Sequence, residues 1–192
     1  SARKGKISVL VGGKYENMRH RRNFLINLRK EDPEIRTNNM DKKEFVLKAV
    51  ADKKALIVDV SDKIFDYAEV GFHEFRTAKL YEEVLKKEGF QVEMGVGGMP
   101  TAFKAVYGSG KPVIGFLAEY DALPELSQEG GCTMRKKAAG DNPDGHGCGH
   151  NLLGAGAMAA ALAVKAYIEE HPEAGTVILF GCPSEEKGDG KA

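Results

Sequence analysis

The segment LLGAGAMAAALAVKAYIEEH, residues 152–171, constrains the fold more than any other part of the sequence. Alanine and leucine are strong helix formers, so the segment predicts a long helix. Because alanine and glycine carry little or no side chain, this helix can lie close to a sheet. Two apolar runs supply strands for that sheet: residues 113–118 before the helix and residues 176–183 after it. The nearly uniform apolar run at 113–118 predicts an interior strand covered on both faces.

Helical spacing of apolar residues between positions 41 and 69 predicts one long amphipathic helix that Gly71 ends. A second helix is expected in residues 76–90, with Gly89 in the C-terminal position. Strands are expected in QVEMGV and TAFKAVYG, and a long loop in residues 124–147. The chain is therefore predicted to be an α/β protein with a layered mixed sheet flanked by helices. The predicted core stripe of the first helix consists of Val46, Val50, Ile57, Val60, Ile64 and Ala68.

The segments before and after residue 40 carry opposite net charges, although the formal net charge of the whole chain is zero. Residues 1–39 hold ten basic and four acidic residues, so the remainder carries a net charge of −6. A basic segment such as RHRRN could contact nucleic acid, but no zinc finger or repeated basic pattern accompanies it. We therefore assign residues 1–39 to an N-terminal extension or appended segment, and residues 40–192 to the folded domain.

Cysteine usage and hydropathy indicate the compartment. The three cysteines, Cys132, Cys148 and Cys182, contain no C-x-x-C pair, which argues against a secreted disulfide framework and a classical zinc ribbon. No segment approaches the roughly 20 apolar residues that a membrane span needs. We expect a cytoplasmic protein that binds neither membranes nor nucleic acid.

Polar side chains cluster at three places where predicted apolar elements begin or end. Glu119 and Asp121 follow the apolar run at 113–118, HGCGH precedes the alanine-rich helix, and Glu185–Glu186 follows the last strand. In open α/β sheets, ligands bind in the crevice beyond the carboxyl ends of the strands. These three clusters could therefore converge on one site.

The motif HGCGH, residues 146–150, has three open interpretations. In an extended backbone Cys148 and His150 point to the same side, so a thiolate and an imidazole could bind one ion, and such ligands suit Zn²⁺. His146 could join them or contact the substrate. The other interpretations are a nucleophilic cysteine and a glycine-rich loop without chemistry.

The acidic pair Glu185–Glu186 favours the metal interpretation, because two adjacent carboxylates repel one another unless a cation lies nearby. Adjacent side chains leave an extended backbone on opposite sides, which suggests one metal ligand and one general base. A solvated surface pair is the alternative. Asp121 is a candidate to orient a ligand histidine, although acids at strand ends are often turn or cap residues.

These clusters resemble, in order and spacing, those of the M20 family of metallopeptidases and amidohydrolases, from about residue 40 to the end. The nearest similarity is to its aminoacylase-like branch, which includes aminobenzoyl-glutamate hydrolases. The matching stretches are residues 66–80, 112–128, 145–161 and 175–192.

The resemblance implies a zinc-peptidase-like catalytic domain that cleaves the amide bond of N-acyl or N-aroyl amino acids or small dipeptides. Cys148, His150 and Glu186 would be metal ligands, with Cys148 bridging two divalent ions, Zn²⁺ or Mn²⁺. Glu185 would be the general base, and Asp121 an acid beside the ligands. Glu119 stands where many members have histidine or aspartate, which argues against a direct metal role for it.

In the M20 family a smaller dimerisation domain and further ligand histidines follow the acidic pair, whereas this sequence ends six residues after Glu186. We therefore expect the N-terminal portion of a catalytic domain, inactive as a fragment and a homodimer when full length. Two rival hypotheses stay open. One is a metal-free cysteine amidase that uses Cys148 with His146 or His150 as base. The other is a non-catalytic binding module.

Overall fold

The computed structural model describes residues 8–10, 41–188 and 190–191 of the 192-residue chain. Within this part of the chain, five strands form one mixed sheet in the order β1-β4-β5-β3-β2. β4 pairs in parallel with β1 and β5, whereas β3 pairs antiparallel with β2 and β5. The strands are β1 (Ser8–Leu10), β2 (Gln91–Met94), β3 (Phe103–Gly108), β4 (Val113–Glu119) and β5 (Thr176–Cys182). The predicted mixed sheet is confirmed.

Among the described residues, four α-helices accompany the sheet: α1 (Lys42–Asp52), α2 (Lys54–Tyr67), α3 (Phe75–Lys87) and α4 (His150–Glu170). The single helix expected from residue 41 to residue 69 is therefore wrong. It breaks at Lys53, whose ammonium group lies 2.7 Å from both carboxylate oxygens of Glu88 just beyond α3. The predicted stripe is buried in α2, at Val60 and Ile64, whereas Val46 in α1 is 43% exposed.

The end of α2 also differs from the expectation. Ala68, not Gly71, takes the left-handed conformation that ends the helix, with φ 42° and ψ 52°. Gly71 is instead a packing position, because a Cβ atom there would lie 2.5 Å from Ser184 Oγ. Gly89 after α3 has φ 87°, as its predicted C-terminal position requires.

Helix α4 packs directly on β4, as its small residues predict. At Gly154 a Cβ atom would collide with the carbonyl oxygen of Glu119, so only glycine allows the helix this close to the strand. By length and composition alone, α4 could cross a membrane, contrary to the expectation from the sequence. Half of its most apolar window is buried inside the protein, which is the position of a core helix.

The described part of the N-terminal segment, residues 8–10, pairs with the sheet. Ser8–Leu10 forms the edge strand β1, in register with Ile114, Gly115 and Phe116. β4 therefore lies between two strands, as predicted, although only Gly115 and Ala118 are fully buried in it. The rest of residues 1–39, including RHRRN, lies outside the described residues, and their assignment as an extension stays a prediction.

Candidate metal centre

The three polar clusters meet at one edge of the sheet. β4 and β5 run in parallel, so Glu119 at the end of β4 stands opposite Cys182 at the end of β5. Helix α4 begins beside them at His150, after Gly149 with φ 79°. Parallel pairing brings the segments that follow both strands to the same edge. The convergence expected from the sequence is thus present.

The His150 imidazole lies at the centre of this cluster and is almost completely buried. Its Nδ1 atom is 3.0 Å from Asp121 Oδ1 and 3.1 Å from the Asp121 carbonyl oxygen. Its Nε2 atom is 3.3 Å from Glu119 Oε2, 3.6 Å from Glu185 Oε2 and 3.8 Å from Glu186 Oε1. Since carboxylate and carbonyl oxygens accept hydrogen bonds, Nδ1 carries a proton, and Nε2 faces three carboxylates.

Asp121 joins two parts of the site. Its second carboxylate oxygen accepts a hydrogen bond of 3.0 Å from the Glu186 backbone N–H. Burial alone would raise the pKa of Asp121, but the hydrogen bonds from His150 and Glu186 outweigh burial and lower it. Burial likewise opposes protonation of His150, yet Asp121, Glu119 and Glu186 raise its pKa. The surroundings of His150 therefore favour the positively charged form of its imidazole.

The acidic pair does not lie on an extended backbone, so the expectation that its side chains diverge is wrong. Ser184 takes the left-handed conformation, with φ 57° and ψ 41°, and Glu185–Lys187 forms a 3-10 turn. This turn directs both carboxylates towards His150, at 3.6 Å and 3.8 Å from Nε2. Both therefore approach the same imidazole nitrogen.

Two overlapping groups of donor atoms could hold a divalent ion. One donor atom from each of Cys148, His150 and Glu186 lies within 4.8 Å of the others, and the same is true of Glu119, His150 and Glu185. Sulfur, imidazole nitrogen and carboxylate oxygen are the donors that Zn²⁺ takes in proteins. The donor set therefore fits a metal ion, and the predicted ligands Cys148, His150 and Glu186 come together.

The Cys148 thiol is exposed and surrounded by acids. Its slight burial, a hydrogen bond with Glu186 and the charges of Glu185 and Glu119 raise its pKa. A nucleophilic cysteine needs the opposite surroundings, with a positive group that stabilises the thiolate. A bound cation at this position would supply that positive charge.

Sequence reasoning missed two residues of the site. Glu119 had no assigned metal role, yet it lies against His150 with its side chain only 12% exposed. Lys191 forms an ion pair with Glu119 and lies 3.6 Å from Glu185 Oε1. The sequence EEKGDGK did not indicate that Lys191 lies at the site, because the position of Lys191 depends on how the chain turns after Glu186.

His146 lies apart from the ligand groups. Its Nε2 atom is 2.9 Å from the Ile64 carbonyl oxygen in α2, and its ring stacks on Phe65 with centroids 6.3 Å apart. Burial lowers the pKa of His146. The structure thus ties the loop before Cys148 to α2 through this imidazole, which stays a neighbour of the donor groups.

Comparison with known proteins agrees with this fold and with the resemblance to the M20 family. Residues 115–192 match the peptidase family M20/M25/M40. The chain is 47% identical to a p-aminobenzoyl-glutamate hydrolase of Escherichia coli over 148 residues, or 77% of this chain. It is 38% identical to an Xaa-Arg dipeptidase of Mus musculus over 103 residues, or 49% of this chain. The YXEP protein of Bacillus subtilis, a dinuclear metal-binding peptidase of the M20 family, matches 78% of this chain with a TM-score of 0.54 and 22% identity.

The fold and the donor groups together define an α/β protein with a candidate metal centre at the carboxyl ends of its parallel strands. More particularly, residues 115–192 match the M20 peptidase family, and the resemblance predicted from the sequence is confirmed. The chain spans 30% of the length of the Escherichia coli relative, 20% of the mouse relative and 38% of the YXEP protein.

Proposed function

We propose that this chain forms the N-terminal portion, residues 40–192, of the catalytic domain of a metal-dependent amidohydrolase. The convergence of Cys148, His150, Glu185 and Glu186 at one edge of the sheet supports this proposal most directly. These residues come from two chain segments separated by helix α4 and strand β5. Such a gathering of a thiol, an imidazole and carboxylates is costly without a cation.

Cys148, His150 and Glu186 would hold the metal. When bound, divalent ions supply Lewis acidity, which lowers the pKa of water and polarises an amide carbonyl. Asp121 accepts the hydrogen bond from His150 Nδ1, so the Nε2 lone pair stays directed into the site. Asp121 also fixes the Glu186 backbone through its second oxygen.

Glu185 is the proposed general base. Its side chain is 35% exposed, more than that of any other carboxylate around His150 Nε2, so it can reach a substrate on the open side. In this role it accepts a proton from the attacking water and delivers it to the leaving amine. Lys191 forms an ion pair with Glu185, with Nζ 3.6 Å from Oε1, and so lies beside the carboxylate that is proposed to accept the proton.

The proposed substrates are N-acyl or N-aroyl amino acids or small dipeptides. The names of the relatives support this class, since one is a p-aminobenzoyl-glutamate hydrolase and another an Xaa-Arg dipeptidase. The rival cysteine amidase receives no support from the site. The acids around Cys148 raise its pKa, and the Nε2 atom of His146 is occupied by the Ile64 carbonyl oxygen.

A single substitution with a matched control tests the function. We expect Glu185→Gln to abolish hydrolysis of p-aminobenzoyl-glutamate and of an Xaa-Arg dipeptide, while elemental analysis still finds bound metal. Glu173→Gln removes the same charge at a position far from the site and 81% exposed, and should leave hydrolysis unchanged. The hydrolysis assay uses the longer protein of which this chain is the proposed N-terminal portion, because the 192-residue chain alone is expected to be inactive. Retained hydrolysis in E185Q would favour the non-catalytic or cysteine hypothesis.

Several features of the proposal concern the whole protein. We propose Zn²⁺ or Mn²⁺ as the metal, because the mixed sulfur, nitrogen and oxygen donors suit these ions. Three free cysteines support a cytoplasmic location. A homodimer of the longer protein stays a prediction, which analytical ultracentrifugation would test.

A further inference from the structure

Glu74 is a fully buried carboxylate that the proposed mechanism does not use. It directly precedes α3 and lies more than a hundred residues before the acidic pair in the sequence. Burial raises its pKa, although hydrogen bonds from the Ser184 N–H and the Thr101 hydroxyl oppose that change. A buried carboxylate lowers the stability of the fold unless its oxygens accept hydrogen bonds. The hydrogen-bond partners of Glu74 therefore indicate what this carboxylate does.

The two oxygens of Glu74 connect distant parts of the chain. Oε1 accepts a 2.8 Å hydrogen bond from the Ser184 backbone N–H. Oε2 accepts a 3.0 Å hydrogen bond from Thr101 Oγ1, and the Thr101 carbonyl accepts one of 2.7 Å from Tyr120. Glu74 thus links the start of α3 to the segment before β3 and to the turn that carries Glu185 and Glu186.

Ser184 is the residue that determines the direction of that turn. Its backbone has φ 57°, a conformation that residues other than glycine adopt at a cost. Two further contacts hold the same turn. Gly71 leaves space for Ser184 Oγ, and Lys187 Nζ lies 3.3 Å from the Gly71 carbonyl oxygen. Ser184 would relax towards an extended backbone without such contacts, and the acidic pair would then leave His150.

We propose that Glu74 is a positioning residue that holds Ser184 in the left-handed conformation and thereby directs Glu185 and Glu186 towards His150. The roles of Glu185 and Glu186 rest on the proposed function, but the positioning itself does not. A side chain that only filled the core would need no acceptor at the Ser184 N–H, 2.8 Å away.

Four variants separate positioning from general stability. E74M removes both acceptors but keeps a side chain of similar length. E74Q keeps one oxygen that can accept from the Ser184 N–H while its amide nitrogen donates to Thr101 Oγ1. T101V is the matched control, since it removes the Thr101 hydroxyl and leaves the Ser184 contact intact. E74M/S184G combines the loss with a residue that adopts positive φ readily.

Two measurements on the 192-residue chain report the result. Amide hydrogen exchange at Ser184 and Glu186, compared with exchange in β5, follows the turn without any metal or substrate. Titration with Zn²⁺ alone follows the donor group. We expect E74M to speed exchange at both amides and to weaken Zn²⁺ binding about tenfold or more, a usual effect of losing a residue that orients ligands.

The remaining variants should separate in a defined order. We expect E74Q and T101V to keep wild-type exchange and affinity, and E74M/S184G to recover most of the lost Zn²⁺ affinity. If E74M does not fold, E74D replaces it, because its carboxylate is one methylene too short to reach Ser184. Unchanged exchange at Ser184 and Glu186 in the folded E74M or E74D variant would overturn the proposal.

The two proposals fail in different ways. Faster exchange in E74M without Zn²⁺ binding by the wild type would support the positioning role and contradict the metal site. Unchanged exchange, together with normal metal binding and hydrolysis, would contradict only the role of Glu74. An equal loss in T101V and E74M, with no recovery in E74M/S184G, would show that Glu74 serves stability alone.

Discussion

Asp121→Asn tests how the site prepares His150 for a metal ion. The Asp121 carboxylate accepts two hydrogen bonds, one from His150 Nδ1 and one from the Glu186 backbone N–H, each of 3.0 Å. An asparagine has the same shape but only one side-chain oxygen. Whichever way the amide turns, its NH₂ group faces a donor that the carboxylate accepted before.

The size of the effect follows from this mismatch. If the amide oxygen keeps the Glu186 N–H, the NH₂ group points at His150 Nδ1 and favours the tautomer with its proton on Nε2. That nitrogen faces the other carboxylates and could then no longer bind a metal. A buried hydrogen bond to a charged group contributes about 1.5–3 kcal/mol, which corresponds to roughly 10- to 150-fold in Zn²⁺ affinity.

The assay is a competition titration of Zn²⁺ against a chromogenic chelator near neutral pH, with the His150 tautomer followed by ¹⁵N NMR. Asp62→Asn is the matched control, because Asp62 lies exposed on α2 and loses the same charge. We expect the affinity of D121N to fall by the stated factor and that of D62N to stay unchanged. An affinity of D121N within about twofold of the wild type, with Nδ1 still protonated, would refute the role of Asp121.

Three further predictions concern packing and titration. Gly154→Ala should lower the free energy of unfolding in urea by about 1–3 kcal/mol, because the new Cβ atom meets the Glu119 carbonyl. Gly156→Ala is the control and should raise the free energy of unfolding by about 0.5–1 kcal/mol, because the space around Gly156 is open. Burial and neighbouring acids raise the pKa of Cys148, so its alkylation by iodoacetamide should accelerate only at a higher pH than alkylation of an ordinary thiol. Bound Zn²⁺ should slow this alkylation. Fast alkylation at neutral pH would contradict the raised pKa. Burial raises the folded-state pKa of Glu74 above its ordinary 4.5, so the ionised carboxylate costs stability above the folded pKa and that cost disappears as the pH falls. Glu74→Gln should therefore be more stable than the wild type at neutral pH, and the difference should vanish near pH 4.5.

The sequence predicted those features of the helices and strands that depend on residues close together in the chain. The small residues of α4 predicted its close packing, and Gly154 provides it. The break at Lys53 could not be predicted, because it coincides with an ion pair to Glu88, 35 positions further along the chain. Spacing in residues 41–69 continues through the break, so helical periodicity alone gives one helix where tertiary contacts produce two.

In the candidate site, too, local patterns could be predicted from the sequence and tertiary contacts could not. Residue types at strand ends predicted that Cys148, His150 and Glu186 would meet, since parallel pairing of β4 with β5 places those ends together. Lys191 was missed, and Glu119 was expected near the site but without a metal role, because their ion pair depends on the path of the chain after the acidic pair. A charged residue at the end of a strand has many roles, and only its neighbours in space distinguish them.

The conformation of Ser184 shows that the proposed roles of the acidic pair were inferred from the wrong backbone geometry. An extended backbone would send Glu185 and Glu186 to opposite sides, and one carboxylate would then leave the site. With φ 57° at Ser184, both approach His150 Nε2, and their different exposure, 35% and 23%, separates their roles. The more exposed Glu185 is free to move a proton, whereas the Glu186 backbone is fixed by Asp121. The proposed division of labour in this pair would therefore arise from unequal restraint. Two buried acids accept the hydrogen bonds that restrain the turn, Glu74 from the Ser184 N–H and Asp121 from the Glu186 N–H, and neither acid needs to touch a substrate.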